Sequence, residues 1–336
     1  GYQMDLPALR EVFTARLKRL YNWDVKPEEI VFVPGVVTGL NLAARVVGKP
    51  GDAIIMNTPV YGPFLTVPTN QGRFAQMVDM DLVDTGSQTF TYEINFDAFE
   101  AAITPQTTHY FLCSPHNPAG RTFSREELTR LAEICARRDI IITSDEIHCD
   151  LLLDDAQHMP LAALSPEISQ RTITLMAPSK TFNMPGLSCS MAIIQNETLR
   201  KAYATATWGA GLHVNLLGLE AALAAYEHGD AWLKAVLAYI QDNRDVLAQF
   251  VFANLPNVRT TIPEATYLAW LDWRGVNLPE GMTPADFCLK EAKVALNAGD
   301  FFGPAGRGFL RMNLGTQRAT LMQALERIQQ AYSNLG

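Results

Sequence analysis

The feature that most restricts how this chain can fold is a repeated alternation of two textures. Short runs, apolar at most positions and rich in β-branched residues, recur at Ile30-Val31-Phe32-Val33, Ala53-Ile54-Ile55-Met56, Thr108-His109-Tyr110-Phe111-Leu112, Ile140-Ile141-Ile142-Thr143, Thr172-Ile173-Thr174-Leu175 and Met191-Ala192-Ile193-Ile194. Runs of that length without regular polar alternation read as strands covered on both faces. Amphipathic stretches separate them, most clearly over 125–138, where Ser124 and Glu127 form an S-x-x-E capping box ahead of an apolar stripe. Strand and helix in alternation predict an α/β fold on a mainly parallel sheet. After Asn215 the texture changes. An Ala/Leu-rich helix is expected to Tyr226, a break at His228-Gly229-Asp230 and a further helix over 231–254. Strands over 258–262 and 267–272, a helix over 284–298, a strand over 309–313 and a terminal helix follow. That tail reads as a separate α+β domain carried on the long helix.

The 336 residues are 48% hydrophobic and 18% charged, enough to build a large core and incompatible with disorder or a small disulfide-stapled domain. Lys and Arg number 27 against 35 Asp and Glu, a net charge of −8, and no basic block occurs. Nucleic acid and anionic membrane are therefore poor partners, and a small molecule is the expected one. The five cysteines show no C-x-x-C pair and no zinc-like His spacing, so reduced core thiols, no metal and a cytoplasmic location are expected. Neither a membrane-spanning apolar run nor a signal-peptide layout is present, and a first residue of Gly suggests that the chain starts inside a longer product.

Ligands of open α/β sheets bind outside the carboxyl ends of the strands, and four such edges carry unusual chemistry. Pro34-Gly35-Val36-Val37-Thr38-Gly39 opens a helix at about Thr38, either a phosphate-binding turn or a plain turn with Thr38 as cap. Ser114-Pro115-His116-Asn117-Pro118 holds Asn117 at a strand end, where it could also be only a turn former. Asp145, in Ser144-Asp145-Glu146-Ile147-His148, either caps a helix or meets a cationic ligand atom. Lys180, in Ser179-Lys180-Thr181-Phe182-Asn183, is a solvated loop lysine or a chemically used one. Together they offer an anion nest, an amide, a carboxylate and a lysine. That set suits pyridoxal 5′-phosphate, which needs an amine for its aldehyde, a carboxylate for its ring nitrogen and a helix N-terminus for its phosphate.

These blocks, with Thr58-Pro59-Val60-Tyr61-Gly62-Pro63-Phe64, Ala265-Thr266-Tyr267-Leu268-Ala269-Trp270 and Arg311-Met312-Asn313, resemble the class I/II, fold-type I, aminotransferase superfamily. Within it the Ser-Lys-Thr-Phe-Asn and Ala-Thr-Tyr-Leu-Ala-Trp blocks are similar to the cystathionine β-lyase-like carbon-sulfur lyases. The resemblance implies a large cofactor-binding domain, residues 1–230, on a mainly parallel seven-stranded sheet, and a smaller α+β domain, residues 231–336. It implies that Lys180 bonds to the cofactor aldehyde, Asp145 pairs with the ring nitrogen and Asn117 donates to the phenolic oxygen. Tyr61 would stack on the ring, and Ser179 with the backbone at Val37 and Thr38 would hold the phosphate, helped by Tyr2 from the second subunit of a homodimer. His148 would lie close to the ring. Arg311, with Asn117 and Tyr61 beside it, would bind the substrate α-carboxylate.

The implied activity is β-elimination from cystathionine- or cysteine-type amino acids to a thiol, pyruvate and ammonia. An aminotransferase is the first alternative, and a non-catalytic regulatory protein of the same fold is the second. A dinucleotide-binding dehydrogenase is disfavoured, because no G-x-G-x-x-G follows the first strand. Three departures from the pattern stand out. Pro185-Gly186-Leu187-Ser188 offers no arginine where many transaminases carry Gly-x-Arg, an absence the lyases share. Gly62 and Met184-Pro185 depart modestly from the lyase-branch pattern, so the resemblance does not fix the shape of the substrate pocket. Several dozen N-terminal residues that the family uses for an arm and one pocket wall are absent from the chain.

Overall fold

A computed structural model describes residues 5–335. Its strands are β1 (Ile30–Val33), β2 (Ala53–Thr58), β3 (Phe74–Asp79), β4 (Asp81–Asp84), β5 (Phe90–Glu93), β6 (Thr107–Cys113), β7 (Ile141–Asp145), β8 (Thr172–Met176), β9 (Ser190–Ile193), β10 (Arg259–Thr260), β11 (Leu268–Asp272), β12 (Asn297–Ala298) and β13 (Phe309–Asn313). Its helices are α1 (Pro7–Tyr21), α2 (Val36–Val46), α3 (Gly62–Asn70), α4 (Phe96–Ala102), α5 (Arg125–Arg137), α6 (Pro166–Ser169), α7 (Pro178–Thr181), α8 (Glu197–Gly209), α9 (Leu216–His228), α10 (Asp230–Asn254), α11 (Pro284–Lys290) and α12 (Arg318–Ser333).

All six apolar runs are strands of one sheet, ordered β1-β9-β8-β7-β6-β2-β3. The pairs from β8 through β3 are parallel, and β9 runs antiparallel to both of its neighbours. Strand β6 shows how the sheet fills two cores. Its Tyr110 and Leu112 pack with Leu128 and Leu131 of α5, while Phe111 and Cys113 face Leu40 of α2 and Phe64 of α3, as the two-residue repeat of a strand requires. The capping box forms as expected: Ser124 Oγ accepts from Glu127 N at 3.2 Å and Ser124 N donates to Glu127 Oε2 at 2.8 Å.

The sheet has the seven strands that the resemblance implies, but the seventh, β3, is absent from the apolar runs for a physical reason. It is an edge strand with mostly exposed or half-buried positions, so it lacks the doubly covered apolar signature. The hairpin β4–β5 was likewise unexpected. In the tail, α10, α12 and the sheet β10-β11-β13-β12 enclose a core of their own through Leu247, Val251, Leu310, Leu325 and Trp273. Two expectations there need correction. The strand over 258–262 is reduced to Arg259–Thr260. The helix over 284–298 stops at Lys290, because Lys293 takes a left-handed φ of 57° and Asn297–Ala298 pairs instead with β13.

Candidate active site

Five strand ends deliver side chains or amides to one cleft of about 390 Å³. After β1, α2 begins at Val36 rather than at Thr38, and no side chain caps it. Its first-turn amides at Val36, Val37 and Thr38 therefore face the cleft as uncommitted donors at the positive end of the helix. Ser190, the first residue of β9, buttresses this turn: its Oγ donates to Val33 O at 2.9 Å and accepts from Gly35 N at 3.1 Å. Thr38 is not the cap; its hydroxyl donates back to Pro34 O at 3.2 Å.

After β2, Tyr61 enters the cleft, tied to the neighbouring loop by its own N–H donating to Asn117 O at 3.1 Å. The glycine that follows has a steric reason, since a Cβ at Gly62 would stand 2.7 Å from the ring of Phe301. After β6, the turn holding Asn117 is stitched to β7 through Ser114 N and Asp145 O at 2.9 Å. Asp145 closes β7 at 4% exposure, its Oδ1 accepting from Ile147 N at 3.1 Å. Burial pushes this carboxyl up to about 7, with the adjacent Glu146 adding to the rise and Lys180 opposing it. Lys180 lies on the short turn α7 after β8, and burial, reinforced by the charge of Arg311, holds its amine below the usual lysine range. His148 is buried and pushed down to about 3 by that burial, so its imidazole is neutral. Ser179 lines the cleft next to Lys180.

Arg311 comes from β13, and its guanidinium lies over the ring of Phe302 at 4.8 Å. Nη1 donates to Asn117 Oδ1 at 3.0 Å and Nη2 to Asn297 Oδ1 at 2.9 Å. Thus the structure brings together Val37, Thr38, Tyr61, Asn117, Asp145, His148, Ser179, Lys180 and Arg311. Tyr2 lies outside the described residues. Lining residues that carried no expected role include Cys113, Tyr267, Asn297 and Asn313. Tyr267 meets the edge of His148 with ring centroids 6.0 Å apart. Its aromatic character within the Ala-Thr-Tyr-Leu-Ala-Trp block is the available signal, whereas Asn297 lies inside an expected helix.

These residues fit pyridoxal phosphate. A carboxyl driven toward neutrality by burial is suited to a cationic ring N–H, which would restore its ionised form. The uncapped turn of α2 suits a phosphate. A buried amine with lowered basicity suits bonding to an aldehyde.

The family described as aminotransferase class I and II matches residues 2–328. Cystathionine β-lyase PatB of Bacillus subtilis is 36% identical over 335 residues, spanning 99% of this chain and 85% of that protein. Cystalysin from Treponema denticola, a structure containing pyridoxal 5′-phosphate, superposes with a TM-score of 0.94 at 30% identity, covering 100% of this chain and 84% of that one. A PLP-bound C-S lyase from Staphylococcus hominis gives a TM-score of 0.88 at 33% identity, covering 99% and 85%.

Proposed function

Because the chain belongs to the class I and II aminotransferase family, we propose that it uses pyridoxal phosphate to eliminate a thiol from the β-carbon of cystathionine- or cysteine-type amino acids. The carrying observation is the meeting of Lys180, Asp145, Asn117 and Arg311 in one cleft, in a chain whose relatives include named carbon-sulfur lyases. Cofactor residues lie on the part assigned to 1–230 and Arg311 on the part assigned to 231–336.

When bound, the cofactor supplies an aldehyde that bonds to amines and a ring that takes up an electron pair from Cα. Lys180 would hold it covalently, the α2 amides at Val37 and Thr38 with Ser179 would hold its phosphate, and Tyr61 and His148 would flank its ring. Asn117 would donate to its phenolic oxygen, and Asp145 would keep a proton on its ring nitrogen.

Arg311 binds the α-carboxylate as a two-pronged donor and so fixes the direction in which Cα–H points. The Lys180 amine, whose basicity burial lowers, takes the Cα proton. The Cβ–S bond then breaks with its electron pair leaving on sulfur, and the three-carbon remainder hydrolyses to pyruvate and ammonia.

A homodimer with the site at the subunit boundary fits the surface next to the cleft. Leu216 and Leu217, the latter 71% exposed, follow Asn215, whose amide donates to Leu187 O at 3.0 Å beside the lining residues Pro185 and Ser188. Trp208 is 64% exposed nearby in sequence. Two adjacent exposed leucines beside the cleft are compatible with an association surface. Five unpaired, buried cysteines fit a reducing cytoplasm. Among the described residues no helix is long and apolar enough to cross a membrane.

The test is product analysis with cystathionine and no oxo-acid. Many equivalents of pyruvate, ammonia and homocysteine per site are expected. Turnover that stops after one equivalent and resumes when an oxo-acid is added would identify an aminotransferase instead.

A further inference from the structure

Arg311 is held from two sides by neutral amide oxygens, and only one of them has an expected role at the cofactor. The other belongs to Asn297, which stands directly opposite Arg311 in the antiparallel ladder between β12 and β13. Opposed residues of a ladder present their side chains on the same face at short range, so the sheet register itself delivers the Asn297 amide to the guanidinium. Its Oδ1 accepts from Nη2 at 2.9 Å while Asn117 Oδ1 accepts from Nη1 at 3.0 Å. Each Nη carries two protons, so one on each nitrogen remains for a ligand. The same group lies over Phe302, with the guanidinium carbon 4.8 Å from the ring centroid. Arg311 is thereby restrained from both edges and from one face, and Asn297 itself lines the cleft.

We propose that Asn297 is a positioning residue that orients Arg311 for the substrate α-carboxylate, and that its neutrality is part of the function. A neutral acceptor fixes the guanidinium without cancelling its charge, leaving the full cation for the carboxylate. An aspartate at 297 would make a stronger bond to Arg311 and a poorer carboxylate site, because the two anions would share one cation. A residue that serves only to hold the sheet together would have the opposite ranking. This inference rests on the reading of Arg311 as the carboxylate-binding group.

The experiment uses the holoenzyme and compares Asn297→Ala, Asn297→Asp and Asn297→Ser with Arg311→Lys. Steady-state kinetics are combined with calorimetric binding of 2-methylalanine, which has no Cα proton to lose, and of its amide, which has no carboxylate. Asn297→Ala should raise KM about tenfold with kcat changed less than about threefold, the size expected when substrate binding must itself order a freed arginine side chain. Asn297→Asp should raise KM further, and Asn297→Ser should recover part of the loss. All should weaken 2-methylalanine and leave its amide unaffected, with unchanged cofactor content and melting temperature.

If Arg311→Lys weakens the carboxylate ligand and the Asn297 variants do not, or if Asn297→Asp binds it as tightly as the parent, the positioning role is wrong while the Arg311 reading stands. Should Arg311→Lys leave both ligands unaffected, the Arg311 reading itself fails.

Discussion

Replacing Asp145 by asparagine should make the cofactor-free protein more stable at alkaline pH while removing most of its activity. The carboxyl is 4% exposed, and burial raises it from an ordinary value of 3.8 to about 7. A raised acid binds its proton more tightly in the folded chain than in the unfolded one, so the folded state carries a penalty that starts near pH 4, grows with pH and levels off above about 7. A tenfold change in proton affinity is about 1.4 kcal/mol, so the full penalty is about 4 kcal/mol. Asparagine keeps an acceptor for Ile147 N and carries no charge, but it buries an extra N–H group at a cost of about 1–2 kcal/mol. The net expectation is therefore a gain of about 2–3 kcal/mol at pH 8, shrinking and then reversing toward pH 4. Chemical denaturation of both cofactor-stripped proteins across pH 4–8 measures it, and saturating cofactor should narrow the gap by supplying the wild-type carboxylate with a cation. The variant's kcat should fall at least a hundredfold, as a neutral side chain cannot keep the ring nitrogen protonated. A stability difference that does not change with pH would refute the argument, because burial would then not be what sets the state of this group.

Two other outcomes are open to measurement. Lys180→Ala should abolish turnover and the covalent attachment of cofactor with the melting temperature nearly unchanged; borohydride reduction of the parent followed by peptide mapping should place the label on Lys180, and a label on another lysine would overturn the assignment. Gly299→Ala should lower the melting temperature by roughly 5–10 °C, since a Cβ there would stand 1.8 Å from Gly306 O and 2.7 Å from Phe309 O, both backbone atoms that cannot swing aside; differential scanning calorimetry decides it, and an unshifted transition would show that the 299–306 turn relaxes freely.

What the sequence revealed follows from how much each element depends on its own residues. The buried strands announce themselves because both faces are covered, and β2 is buried at all six positions. Strand β3 owes its place to pairing with β2 along its whole length, which no local pattern encodes. Lys180, Asp145 and Asn117 were legible because polar groups directly after apolar runs are unusual. Asn297 was not, since its role depends on facing Arg311 in a ladder whose register is set by packing. The overextended helix near it has the same origin: Val294 joins the core of the tail from a loop, so helical spacing of apolar residues continued past the helix itself.

The reversed direction of β9 has a mechanical consequence. In a wholly parallel sheet the chain leaving the lysine turn would travel to the far end before returning, and the two ends of the cofactor would be gripped by segments remote in sequence. Here β9 turns back at once, so residues 180–190 run directly from the lysine to the serine that braces the α2 turn. That span is knotted to itself by Met184 N to Ser179 O at 3.0 Å, Leu187 N to Met184 O at 3.2 Å and Ser188 N to Pro185 O at 3.2 Å. On the proposed reading it works as a caliper of fixed opening, with Lys180 for the aldehyde at one jaw and the α2 amides for the phosphate at the other. Inserting or deleting a residue between them would change the gauge of the site without touching any group that performs the chemistry.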